Sequence, residues 1–199
     1  MIKTRKDLKE YLKLDAQALG YRRDFRSGIK HFFAPNVIWK FQKCLRHLEY
    51  YTNSKDIIKF PIWLYYKFYY RRLSLKLNFS IPVNVFGPGL SIAHYGTIIV
   101  SPKAKIGRFC RIHACTNIGA SAGKISAPII GDNVYIGPGA IIFGDINIAN
   151  NITIGANATV NKSCNEQNVV LAGTPAKIVK TNYPVWLKEF LQSIKMADF

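Results

Sequence analysis

Two histidines stand in the most regular part of the chain: His94, within "SIAHYGTIIV", and His113, 19 residues further on. An imidazole titrates near neutral pH, so either ring can take the proton from a hydroxyl that attacks a carbonyl carbon. The competing use is zinc, which needs about three protein ligands. Only these two histidines lie in the regular part, so no metal is expected there. His31 and His47 fall on predicted helices and read as surface or packing residues. Cys44, Cys110, Cys115 and Cys164 form no CxxC pair, and with a charged, polar N-terminus they read as reduced thiols of a cytoplasmic protein.

The elements around the histidines follow a fixed period. Aliphatic residues recur every six positions at Val100, Ile106, Ile112 and Ile118, and again at Ile130, Ile136, Ile142, Ile148, Ile154 and Val160. Gly107, Gly119, Gly131, Gly137 and Gly155 directly follow five of them. A sustained period of six is the signature of a hexapeptide β-helix, in which three hexapeptides make one triangular coil and the aliphatic column fills the prism. Ile118 and Ile130 are twelve apart, with Lys124 midway. A lysine pointing into the prism is costly, so residues 120–127 are expected to leave the coil as a loop.

His94 sits where two phases compete. Six back from Val100 lands on His94 and would bury it in the column. The series Phe86, Ile92 and Ile98 also steps by six and leaves His94 two positions beyond the column. Periodicity leaves both open. His113, one coil of about 18 residues plus one further on, falls near His94 in either phase and reads as an auxiliary acceptor-site residue.

Residues 1–79 have helical punctuation instead. Thr4 and Asp7 suit a capping box, Leu8, Tyr11, Leu12 and Leu19 follow helical spacing, and Gly20 is a stop. A second pattern runs through Val37, Ile38, Phe41, Cys44, Leu45 and Leu48. A third starts near Asp56 and is expected to bend at Pro61. This part carries 18 of the 28 Lys+Arg and 6 of the 11 Asp+Glu, so the net charge of +17 is mainly N-terminal. Such a field favours anionic partners. No nucleic-acid motif accompanies it, and no nucleic acid is expected. The apolar run over residues 57–70 is interrupted by Lys59, Pro61 and Lys67 and falls short of the roughly 20 residues that span a bilayer. It reads as a helix packed on its own domain, its aromatic and basic mixture also suiting an anionic membrane interface.

The array, with "AHYGTIIV", "PIIGDNVYIGPGAIIFGDI" and the closing "LAGTPAKIVK", resembles the hexapeptide-repeat acyltransferases of left-handed β-helix fold. Within them it is similar to serine acetyltransferase and to the serine-acetyltransferase-like O-acetyltransferases of capsular and exopolysaccharide synthesis. The resemblance implies a homotrimer that uses acetyl-CoA in a groove between prisms, with His94 as general base. It implies pantetheine contacts at Ala120, Ser121, Pro138, Ala140 and Ala156, and a cation for the CoA phosphates at Lys177. Serine acetyltransferase has an aspartate where this chain has Ala93 and a second histidine where it has Ala127.

These residues give an α+β reading. A basic helical region over 1–79 precedes a left-handed parallel β-helix over 80–180 and a C-terminal helix over 181–199. The expected function is acetyl transfer from acetyl-CoA to a sugar or glycan hydroxyl in surface polysaccharide synthesis, at the cytoplasmic face of a membrane. Serine O-acetylation is the alternative within the class, and a noncatalytic trimeric scaffold or nucleic-acid-binding module the alternative outside it.

Overall fold

The computed structural model describes residues 1–21, 36–54 and 57–196. His31 lies outside them. Helix α1 (Arg5–Ala18) begins at the capping box: Asp7 N donates to Thr4 Oγ1 at 3.1 Å, and Thr4 N donates back to Asp7 Oδ2 at 2.9 Å. Helix α2 (Val37–Asn53) is capped by Asn36, whose Oδ1 accepts from Ile38 N and Trp39 N. The third helical segment differs from its expected form. A 3-10 turn (Ile57–Lys59) leads into α3 (Phe60–Leu77), and Pro61 stands at the start of α3 rather than at a bend inside it. Proline is at home there because a first-turn N–H has no intrahelical acceptor to lose.

From β1 (Phe79–Ser80) the chain winds into a left-handed parallel β-helix with three faces. One face orders β1, β3 (Ile98–Val100), β6 (Thr116–Gly119), β9 (Ile141–Phe143) and β12 (Thr159–Val160). The second orders β4 (Lys105–Ile106), β7 (Ile129–Ile130) and β10 (Asn147–Ile148). The third orders β2 (Ser91–Ile92), β5 (Arg111–Ile112), β8 (Tyr135–Ile136), β11 (Thr153–Ile154) and β13 (Val170–Gly173), closed by the antiparallel β14 (Ala176–Lys180). Helix α4 (Trp186–Met196) follows.

The aliphatic column is fully enclosed, from Val100 and Ile106 through Ile136 and Ile142 to Ile154 and Val160. Each such side chain contributes about 1.5–3 kcal/mol by leaving water. The glycines after column residues mark close coil-to-coil approach: a Cβ on Gly137 would lie 2.8 Å from Ala156 N, and one on Gly107 2.7 Å from the Gly131 carbonyl. Residues 120–126 leave the coil, with Lys124 and Ile125 exposed; Ala127, expected in the loop, is already back in the core, and the ladder resumes at Ile129.

The helices close the first coil through buried polar groups. Arg46 is fully buried and bonds Asp15, Glu49 and the carbonyls of Phe86 and Gly87. Asp15 Oδ1 accepts from Gly89 N and Leu90 N, both at 2.8 Å, and Glu49 Oε1 accepts from Asn84 N. Burial disfavours the Arg46 cation, but Asp15 and Glu49 outweigh it and hold the guanidinium above its usual range. Gln42 serves the free edge of β2: Nε2 donates to Leu90 O at 2.7 Å, and Oε1 accepts from Ile92 N at 3.3 Å.

Helix α3 packs Leu73 and Leu77 inward with Tyr66, Tyr69 and Tyr70 against the core, while Phe60, Tyr65, Phe68 and Leu75 are each more than half exposed. So only one side of α3 packs on its own domain. Among the described residues no helix is long and apolar enough to cross a membrane.

Replacing Arg46 by alanine strands two buried carboxylates, and we expect about 3–5 kcal/mol of destabilisation. Chemical denaturation checks this; an unchanged midpoint would remove the network from its structural role.

Candidate active site

The competing phases around His94 are resolved by register. Ile92 pairs with Ile112, and Val100 pairs with Ile118. The chain therefore takes eight positions from Ile92 to Val100, where the next coil takes six from Ile112 to Ile118. The two extra residues bulge at the corner between β2 and β3, and His94 is exposed there instead of entering the column. Each series of six is right on its own side of the bulge.

The bulge is held from both sides. Gln42 fixes Ile92, as above, and the end of α3 takes the far side, with Gly96 N donating to Leu77 O and Ile98 N to Asn78 O, both at 3.1 Å. Asn78 adopts the left-handed conformation (φ 58°) that ends α3 and turns its chain into β1. A Cβ on Gly96 would meet Ala114 of the next coil at 3.1 Å, so the bulge lies close over its neighbour.

Ring centres of His94 and His113 are 5.8 Å apart, and His113 lies 5.0 Å from Tyr135. The structure thus brings together the two histidines that the sequence singled out. Nε2 of His113 is shut from solvent without a hydrogen-bond partner, although the ring as a whole is half-buried. Burial, then the charges of Arg111 and His94, lower His113 from 6.5 to about 4. The ring is therefore neutral at pH 7, able to accept or donate one hydrogen bond but carrying no charge.

Arg111 was not anticipated. It precedes the inward Ile112 as His113 follows it, so both point outward from one strand, which is the signal the sequence held. Its Nη1 donates to Ser91 Oγ at 2.9 Å, and its guanidinium lies 4.5 Å from the Phe190 ring centre and 5.6 Å from that of Trp186. Trp186 is buried on this face and donates from Nε1 to Phe109 O at 3.0 Å. Nothing in the repeat period announces α4 as a wall of the site.

The residues expected to hold a cofactor divide by place. Pro138 and Ala156 are exposed on the His94 corner, where Gly139 N donates to Ala114 O, Asn157 N to Pro138 O and Thr174 Oγ1 to Asn157 O. This corner climbs coil by coil from His94 to the final hairpin, where Lys177 is exposed. Four coil steps span roughly 19 Å. Ala120 and Ser121 sit at the other end of β6, where the loop departs. Ala140 is fully buried, its N–H on Gly137 O and its carbonyl on Asn117 N, so it faces the core and not the groove. Among the described residues no three His, Cys, Asp or Glu groups gather as a metal site, and all four cysteines are free.

No protein-family model matches the chain. A serine acetyltransferase of Buchnera aphidicola is 30% identical over 156 residues, covering 76% of this chain and 58% of its own length. One from Mycobacterium tuberculosis is 32% identical over 105 residues, covering 52% and 45%. The crystal structure of serine acetyltransferase from Brucella abortus superposes with a TM-score of 0.69 at 25% identity, covering 88% of this chain and 70% of that one. A serine acetyltransferase solved in complex with CoA matches the fold at TM-score 0.64 and 21% identity, covering 88% and 71%. The chain is similar to the serine acetyltransferases. It spans about half the length of the two curated relatives named.

These likenesses overturn the expected sugar acceptor, since the relatives and neighbours just named are all serine acetyltransferases. That expectation rested on Ala93 and Ala127, two positions lacking polar side chains, and on an N-terminal helical region shorter and more basic than the resemblance implies for the serine enzyme. Ala127 is buried in the prism before β7 of the second face, whereas the outward charge of the third face comes from Arg111, which no comparison at those two positions reveals.

The depressed His113 has a sign. An unfolded chain takes a proton on this ring near pH 6.5, while the folded chain resists until about pH 4. Stability is unaffected above that window and falls as pH drops through it. Thermal melting of the His113→Gln variant between pH 7 and 4.5 should therefore lose less than the wild type. Parallel losses would sink the assignment.

Proposed function

We propose that the protein is an acetyl-CoA-dependent serine O-acetyltransferase with His94 as its general base. The observation that carries this reading is the corner bulge that lifts His94 out of the aliphatic column and exposes it 5.8 Å, ring to ring, from His113. Likeness to serine acetyltransferases supports acetyl-CoA as donor and serine as acceptor. An imidazole nitrogen of His94 takes the proton of the serine hydroxyl as its oxygen attacks the thioester carbon. The tetrahedral intermediate then collapses, the carbon–sulfur bond breaks, and the CoA thiolate takes the proton back from the imidazolium. Transfer is direct, with serine and acetyl-CoA bound together, and no cysteine carries the acetyl group. Lys177, at the far end of the corner, serves the CoA phosphates as a cation.

With acetyl-CoA and L-serine, thiol release by His94→Ala should fall roughly 100-fold or more, in the range of a lost general base. His113→Gln should retain more activity, and Lys177→Glu should raise KM for acetyl-CoA alone. If the wild type leaves serine unacetylated, or His94→Ala retains full rate, the reading fails.

The resemblance implies a homotrimer, and the half-exposed Ile99 and Ile141 on one prism face support one. Light scattering should give a trimer mass, and an Ile99→Asp, Ile141→Asp double variant should lower it. A wild-type monomer would refute this.

The N-terminal region suggests a second contact. Phe60, Tyr65, Phe68 and Leu75 lie exposed on a helix that also carries Lys67, Arg71, Arg72 and Lys76, a combination suited to an anionic membrane surface. The protein should sediment with vesicles containing phosphatidylserine at low salt and less at moderate salt, and Phe68→Asp should weaken binding. No salt-sensitive sedimentation would exclude this contact.

A further inference from the structure

The outward side of the third prism face carries one row of side chains across successive coils: Ser91, Arg111, Tyr135 and Thr153 stand in register. Helix α4 lies over this row and borders an open cavity of about 490 Å3 whose walls include Arg111, His113 and Tyr135 from the coils, and Tyr183, Trp186 and Glu189 from the C-terminal segment. Two features make it a place for a charged ligand. Arg111 is partly buried yet among the described residues has no carboxylate within ion-pair distance, its partners being Ser91 and two aromatic rings. His113, on the same wall, keeps Nε2 sheltered and unbonded, 5.8 Å ring to ring from His94.

A cation held without a counter-ion is costly in a structure but useful for binding, because an incoming carboxylate restores the missing pairing with two parallel charge-assisted bonds. Glu189 supplies the opposite sign from the helix side of the same cavity, and among the described residues no ion pair joins it to Arg111. A guanidinium without a counter-ion and a carboxylate lining one cavity match a zwitterion. The cavity also reaches His113, next to the proposed base, which is where the acceptor hydroxyl must lie.

We propose that this cavity is the acceptor subsite and that it recognises a hydroxylated α-amino acid through both of its charges. Arg111 holds the carboxylate, Glu189 holds the ammonium group, and the hydroxyl lies toward His113 and His94. This rests on the serine reading and adds the residues that select for it. Trp186 and Phe190 fix the plane of the guanidinium, so α4 is part of the acceptor site and not a tail beyond the prism.

Calorimetric titration without acetyl-CoA separates the charges through three probes: L-serine, L-serinamide, which lacks the carboxylate, and glycerate, which lacks the ammonium group. The wild type should bind L-serine roughly ten- to a hundredfold more tightly than either analogue. Arg111→Gln should lose the preference over serinamide, and Glu189→Gln the preference over glycerate, each leaving acetyl-CoA affinity and melting temperature near wild type. Arg111→Lys, which keeps the charge but not the fork, should restore part of the first preference.

If serine is acetylated while Arg111→Gln keeps its preference over serinamide, the subsite is overturned and the serine reading stands. If Arg111→Gln loses all three probes equally together with acetyl-CoA binding, Arg111 is only structural and the proposal fails. If the wild type does not acetylate serine, the functional reading fails. Glycerate binding abolished by Arg111→Gln would then still support a carboxylate subsite, and its absence would overturn that as well.

Discussion

On each face of a coil, side chains that point inward alternate with side chains that point out, and that rule governs the rest of the molecule. Ile106, Ile112 and Val100 on one coil must superpose on Ile130, Ile136 and Ile118 on the next, because strands about 4.8 Å apart cannot shift by one residue without turning a column inside out. Extra residues can be accommodated only at corners. The chain uses two corners for this, one for the loop over residues 120–126 and one for the bulge that carries His94. The apparatus proposed for chemistry stands where the packing rule is interrupted, since an inward position has no access to a ligand.

A coil stack has an open first edge, and here the helices cover it with polar groups. Gln42 takes the N–H and carbonyl that β2 would otherwise leave unpaired, while Asp15, Arg46 and Glu49 bond the loop from Asn84 to Leu90. Every charge in that cluster has opposite-charge and backbone partners, which lets it be buried. The same contacts end at Ile92, two residues before His94, and the end of α3 grips Gly96 and Ile98 beyond it. The helical region thereby acts as the brace of the proposed base, whatever its outer surface meets.

At the other end of the chain, α4 turns back along the third face instead of extending it. Trp186 anchors it on Phe109 O, and the stacked Arg111 joins sheet to helix. The proposed site therefore draws on the first three coils and the last helix, elements far apart in sequence that the prism brings onto one face.

Much of this was determined by the sequence alone. The six-residue period, the departure at Lys124 and the Thr4–Asp7 box are local patterns, and each physical consequence falls within a few residues of its cause. His94 could be singled out but not aimed, because two phases of six meet there and only pairing with the next coil shows that both end at a bulge. The place of Pro61 was misjudged because helix start and helix bend look alike until the preceding 3-10 turn is seen. Gln42, Arg46, Arg111 and Trp186 take partners dozens of residues away, and no periodicity records such distances. The repeat determines which residues face inward, whereas the winding of the whole chain decides which outward residues meet.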